Sequence, residues 1–158
     1  MDTSALVAVV LSQPGASQVR RVLNTLDAIA SSNFLEAELC AVAMREGVST
    51  KSLQSVLDAV DWIVPDRPLS AEIAQVLRAG YLRGADLWHI ASALYLAPSP
   101  GEIAFLTLHI PQRRVGRINS DSGRNCADRC GYLPMGDALS MAGAYRARRA
   151  RSTAEGHK

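Results

Sequence analysis

Residues 84–94 read GADLWHIASAL, and the fold turns on them. Leu87, Ile90, Ala91, Ala93 and Leu94 cover almost the whole circumference of a helix. That is the pattern of a helix buried on several sides rather than one lying on a surface. A carboxylate, Asp86, stands at its mouth. One explanation is capping, because an aspartate side chain accepts bonds from the free N–H groups of a first helical turn and its charge suits the helix dipole. The other is that Asp86 belongs to a cluster of carboxylates drawn from distant parts of the chain, and that explanation requires partners.

Working outward, helical patterns alternate with short apolar stretches. Residues 17–26 place Val19, Val22, Leu23 and Leu26 at helical spacing, with Arg20 and Arg21 opposite. The run AIASS, residues 28–32, reads as a short buried strand. Asn33 is placed to cap a helix carrying Leu35, Leu39, Val42 and Ala43, which Gly47 ends. Ser49 and Thr50 open a helix with Leu53, Val56, Leu57 and Val60 on one face. WIVP, residues 62–65, is a strand stopped by proline, and Ser70 caps a helix bearing Ile73, Val76 and Leu77. Residues 86–97 form the buried helix, and residues 103–108, IAFLTL, a further strand. Helices alternating with short apolar strands predict an α/β domain whose central, mostly parallel sheet is flanked by helices on both faces.

After Pro111 the pattern weakens, with one further helix predicted over residues 137–149. The 158 residues, 48% of them hydrophobic, suffice for one core and not for two ordinary domains. We expect a domain over residues 1–119 and an atypical basic C-terminal extension, partly disordered, over residues 120–158. The apolar run at residues 5–11 has only seven members and follows Asp2 rather than a basic residue, which argues against a membrane span or a secretion signal. Three cysteines, Cys40, Cys126 and Cys130, are an odd set without a dense spacing, which fits a reducing cytoplasm. Cys126 and Cys130 have no second pair to complete a zinc site and read as free thiols.

Charge is distributed unevenly. Residues 1–111 carry 7 basic and 11 acidic side chains, whereas residues 112–158 carry 10 basic and 4 acidic. Arginine supplies 15 of the 17 basic residues, and its fork of donors matches the oxygens of a phosphate. For residues 146–158 a solvated basic tail is an equal alternative.

In an open parallel sheet, ligands gather where strands give way to helices. Asp2 stands before TSAL at such an exit, Glu38 lies one turn inside the second helical pattern, and Asp86 opens the buried helix. Each alone has a plain reading, as terminus, surface charge and cap. Together they would repel one another unless a cation shared the site, and hard divalent ions such as Mg2+ or Mn2+ choose oxygen ligands.

Four segments in register, MDTSALVAVVL at the start, SSNFLEAEL at 31–39, GADLWHIASAL at 84–94 and IAFLTLHIPQRR at 103–114, resemble PIN-domain ribonucleases, particularly the VapC-type toxins of bacterial toxin–antitoxin pairs. The resemblance covers roughly residues 1–115. It implies that Asp2, Glu38 and Asp86 are the catalytic, metal-binding acids, with Thr3 and Ser4 as hydroxyls beside the first. Glu36 would point to another helix face and is the weaker choice. His89 reads as a packed core residue with a satisfied hydrogen bond rather than a catalyst.

Three departures from the family pattern matter. His109 occupies the place of a usual fourth acid, and imidazole suits manganese better than magnesium. The first strand would ordinarily extend several residues before the first acid, so a partner, a tag or an upstream start is expected to supply it. No last strand is recognisable after Gly116. The resemblance implies a Mg2+- or Mn2+-dependent endoribonuclease toxin, with Arg113 and Arg114 holding RNA and a cognate antitoxin filling the acidic groove. It also implies a homodimer, for which the helices over residues 49–60 and 70–77 offer apolar faces, core packing being the equal alternative. The competing expectation is a degenerate domain that binds RNA or antitoxin without cutting. A small-molecule enzyme is disfavoured, since no phosphate-cradling glycine loop follows a strand.

Overall fold

The computed structural model describes residues 1–97, 103–118 and 132–135. Cys126, Cys130 and the helix predicted over residues 137–149 lie outside the described residues. In chain order the elements are α1 (Thr3–Val10), α2 (Ala16–Leu23), β1 (Ala30–Ser32), α3 (Phe34–Arg45), a 3-10 turn (Thr50–Leu53) running into α4 (Gln54–Leu57), β2 (Asp61–Ile63), α5 (Ser70–Ala79), α6 (Gly84–Leu96), β3 (Ile103–Leu106), α7 (Ile110–Ile118) and β4 (Tyr132–Met135). The expected α/β alternation is present.

Strands β1 and β2 pair in parallel, Ala30 opposite Asp61 and Ser32 opposite Ile63. Strands β3 and β4 pair antiparallel, Ile103 opposite Met135 and Leu106 opposite Tyr132. Met1 and Asp2 stand between the two pairs. The Met1 amine donates to the Ala30 carbonyl at 2.5 Å and Ser31 Oγ to the Met1 carbonyl at 2.7 Å. On the other side the Asp2 N–H donates to the Leu106 carbonyl at 2.9 Å. Met1 and Asp2 therefore bridge the two strand pairs, and the extended backbone of Asp2 leads from there into α1.

Two large apolar clusters form. Leu6, Leu35, Leu39, Ala43, Leu53, Leu57 and Val60 join α1, α3 and α4. Val76, Leu82, Ile90, Ala93, Leu94, Phe105 and Val115 join α5, α6, β3 and α7. Six consecutive α6 residues, His89–Leu94, are buried, as a helix apolar nearly all round requires. Helices α5 and α7 pack closely at Gly80, where a Cβ would come within 3.0 Å of Val115 Cγ2. Gly47 ends α3 as its spacing predicts. Its φ of +69° allows the Gly47 N–H to reach the Met44 carbonyl and the Val48 N–H the Ala43 carbonyl, the paired bonds of a Schellman turn.

Several local expectations are corrected. Asp86 does not cap α6: the helix begins earlier because Gly84 and Ala85 already adopt it, Arg83 is the cap residue, and Asp86 sits in the first turn. Asn33 and Ser70 make no capping bond either. The backbone of Asn33 is already helical, and Ser70 is the first residue of α5. A last strand does exist, YLPM of β4. Its proline and short length hide it in the sequence, and proline is tolerated where a strand lies at an edge. Of the faces considered for a dimer, Leu53, Leu57 and Val60 are spent in the core, while Leu77 of α5 is exposed. Among the described residues no helix is long and apolar enough to cross a membrane.

Leu39 is buried in the α1–α3–α4 cluster and Met44, on the same helix, is exposed. Leu39→Ala is expected to lower unfolding free energy by about 2–5 kcal/mol. Met44→Ala should change it by less than about 0.5 kcal/mol, both read from urea unfolding.

Candidate active site

Asp2 caps α1 and is buried, with only 4% of its surface exposed. Its Oδ2 accepts from the Ser4 N–H at 3.1 Å and from Ser4 Oγ at 2.5 Å, and Thr107 Oγ1 lies 3.1 Å away. Its Oδ1 accepts from Gln112 Nε2 at 3.2 Å. The spacing of Asp2 and Ser4 makes this natural, since a residue two places after a capping aspartate presents its N–H to that carboxylate.

Gln112, in the first turn of α7, is wholly buried and is a site residue that the sequence expectations do not include. One amide hydrogen goes to Asp2 and the other to the Asp86 carbonyl at 3.3 Å, so a single side chain ties the mouth of α1 to the first turn of α6. Its Oε1 takes the Thr107 hydroxyl at 2.6 Å. Thr107 has one hydrogen for two acceptors, Gln112 and Asp2, and serves one of them at a time. The His109 N–H donates to Thr107 Oγ1 at 2.9 Å, which orients that hydroxyl. The sequence carries no signal for Gln112, since a lone polar residue in IPQRRV has no period to mark it as inward.

Glu38 faces inward from α3, while Glu36 is exposed, as the helix phase predicts. Glu38 Oε2 accepts from Thr3 Oγ1 at 2.5 Å and from His89 Nε2 at 2.9 Å. His89 is 3% exposed, its Nδ1 lies 3.0 Å from Ser32 Oγ, and its Nε2 lies 3.8 Å from Asp2 Oδ1. The expected packed histidine with a satisfied hydrogen bond is thus present, and it sits between two of the acids. Asp86 Oδ1 lies 3.2 Å from His109 Nδ1. The pair is close enough for ionic attraction, but the imidazole is not aimed as a hydrogen-bond donor, and Nδ1 is buried without a hydrogen-bond partner. Arg113 is half-buried with its Nε making no hydrogen bond, and Arg114 is exposed at the surface of α7.

The two aspartates are driven apart electrostatically. Burial alone would push the Asp2 pKa up, but the Ser4 hydrogen bonds, the adjacent His89 imidazole and the Gln112 amide together hold it below the ordinary carboxylate value. Asp86 is raised, first by burial and then by the charges of Asp2 and Glu38, with His109 opposing. Asp2 and Glu38 therefore both act on Asp86. Among the described residues, however, no three His, Cys, Asp or Glu side chains already surround a single point closely enough to hold a metal ion. The chemistry of the donors nevertheless fits a hard divalent cation. The set is carboxylate oxygen, and Glu38 Oε1 has no hydrogen-bond partner among the described residues.

The PIN domain family matches residues 1–97, and the chain belongs to it. Members of that family are typically nucleases that act on RNA and generally use divalent metal ions. No match was found among curated proteins or among solved structures.

The pKa directions fix a sign. Asp2, lowered in the fold, contributes stability above its unfolded pKa that is lost as pH falls through its folded value. Asp86, raised in the fold, penalises folding at neutral pH and ceases to do so once protonated. Asp86→Asn is therefore expected to stabilise the metal-free protein at pH 7, the gain shrinking as pH falls into the carboxylate range. Urea unfolding at a series of pH values checks this.

Proposed function

We propose that this chain is a metal-dependent endoribonuclease, hydrolysing RNA phosphodiester bonds as the toxin of a toxin–antitoxin pair. The observation that carries the reading is the gathering of three acids in one region of a PIN domain: Asp2 at the mouth of α1 and Glu38 on α3 both flank His89 Nε2, at 3.8 and 2.9 Å, and both press on Asp86 of α6.

In this reading Asp2, Glu38 and Asp86 hold Mg2+ or Mn2+, which when bound supplies charge stabilisation to the phosphodiester and a more acidic water. The chain's own residues do the rest. Ser4 and Gln112 keep Asp2 ionised and fixed in direction. Glu38 keeps one oxygen free because Thr3 and His89 both occupy the other. His109, where the family pattern has an acid, lowers the negative charge beside Asp86 and favours manganese over magnesium. Arg113 and Arg114, at the start of α7 just after His109, hold the RNA backbone by paired donors to phosphate oxygens. A cognate antitoxin would block the same acidic groove, and a homodimer is the assembly that the family resemblance implies.

A second reading keeps the fold and omits cleavage: a degenerate domain that binds RNA or antitoxin. The absence, among the described residues, of a ready three-ligand cluster favours it, as does His109. RNA incubated with purified protein and Mg2+ or Mn2+ separates the two. Cutting that stops on chelation and drops by roughly 10²-fold or more in Asp86→Asn is the expected result, since loss of an outer-shell partner alone typically costs about 10–100-fold. Equal cutting by both proteins identifies a contaminant, and no cutting with antitoxin still bound supports the second reading.

The arginines have their own readout. Arg113→Ala with Arg114→Ala is expected to raise KM while leaving kcat nearly unchanged. It should also flatten the salt dependence of single-stranded RNA binding by roughly 0.7 for each phosphate that is no longer neutralised, measured by fluorescence anisotropy against salt.

A further inference from the structure

We infer that His89, oriented by Ser32, is the positioning residue that makes Glu38 a one-oxygen ligand; the inference rests on the metal-dependent reading above. The hydrogens at this cluster can be counted. Ser32 Oγ and His89 Nδ1 lie 3.0 Å apart, and His89 is the only hydrogen-bond partner found for the Ser32 hydroxyl among the described residues. His89 Nε2 lies 2.9 Å from Glu38 Oε2. If Nδ1 carried the proton, the Ser32 hydroxyl hydrogen would be buried without an acceptor. If Nε2 lacked one, a lone pair would face a carboxylate oxygen.

Only one neutral arrangement satisfies every atom: the Ser32 hydroxyl donates to Nδ1, and Nε2–H donates to Glu38. Thr3 Oγ1 delivers its hydrogen to the same Glu38 oxygen, at 2.5 Å, and Nε2 also lies 3.2 Å from that hydroxyl. Two donors converge on Oε2 and, among the described residues, none on Oε1. The carboxylate is pinned by one oxygen and would offer the other to a cation, and the two donors restrict its rotation. The imidazole is fixed in turn by burial and by the Phe34 ring, whose centroid lies 6.4 Å away at an interplanar angle of 63°. Ser32 ends β1, so the direction of Glu38 on α3 is set by the sheet through a histidine on α6.

Three measurements test this. Long-range 15N–1H correlation spectra of metal-free protein labelled at its three histidines, with His89 assigned by its loss in His89→Gln, are expected to show Nε2 protonated and Nδ1 bare. A proton on Nδ1, alone or beside one on Nε2, overturns the inference. Ser32→Ala should release the tautomer, moving the His89 nitrogen signals toward a mixture; unchanged signals overturn the role of Ser32. Titration with Mn2+ should show His89→Leu weakened by about 10–100-fold. His89→Gln, which keeps a donor at the Nε2 position, should recover most of that loss. If His89→Leu and His89→Gln both fold by circular dichroism and bind Mn2+ like the parent, the inference fails. If His89→Leu does not fold, the parent spectrum and Ser32→Ala still decide. Should the parent itself bind no Mn2+, the metal-dependent reading falls, and the tautomer of the parent continues to judge the Ser32–His89–Glu38 arrangement separately.

Discussion

A carboxylate buried at the second residue constrains everything around it. Removing an ion from water costs several kcal/mol, and the cost is bearable only where donors replace the lost hydration. Asp2 recovers it from Ser4, Thr107 and Gln112, which belong to three different parts of the chain. The same residue gives its backbone N–H to Leu106 and caps α1. Asp2 is consequently the joint at which α1, β3 and α7 meet, and any displacement of it would strand a charge or break a sheet contact. Hydrogen bonds to charged groups contribute roughly 1.5–3 kcal/mol each, so the joint is stiff.

Asp86 is under no such discipline. It lies in the first turn of α6, partly exposed, with a misaligned imidazole 3.2 Å away and two acids pressing on it. The fold thus satisfies one aspartate fully and leaves another in tension. That asymmetry is common where a site is stabilised for what it must bind rather than for the empty protein. Gln112 connects the two states: it donates to the side chain of Asp2 but only to the backbone of Asp86, fixing the position of the second residue without easing its charge.

The fold is legible in the sequence where periodicity is strong. The all-round apolar character of residues 87–94, the Gly47 stop and the run from Ile103 each lead to α6, the end of α3 and β3. Capping is harder to read, because a cap depends on where backbone dihedrals change, which residue type alone does not determine. Asp86 has the chemistry of a cap, yet the aspartate that caps a helix is Asp2. Strand β4 escapes for a related reason, since four residues interrupted by proline carry too little pattern to separate from a loop. The inward turn of Glu38 rather than Glu36 follows from helix phase and is readable. Gln112 is not, because a single buried amide has no period, and only the three-dimensional meeting of Asp2, Thr107 and Asp86 gives it a task.

The uneven charge of the chain bears on how such a groove could receive a polyanion. A cluster of carboxylates repels phosphate, so a nucleic-acid site built on them needs positive charge nearby in addition to any cation. In the proposed reading that charge comes from the start of α7. His109 precedes the helix, Gln112 turns inward as a neutral donor, Arg113 is half-buried and Arg114 is exposed. A lysine or arginine at position 112 would neutralise Asp2 and compete with a cation for it, whereas an uncharged amide holds the carboxylate and leaves its charge in place. In that reading a neutral donor at Asp2 and guanidinium charge at the start of α7 are complementary solutions to one problem, keeping an acidic centre both ionised and approachable.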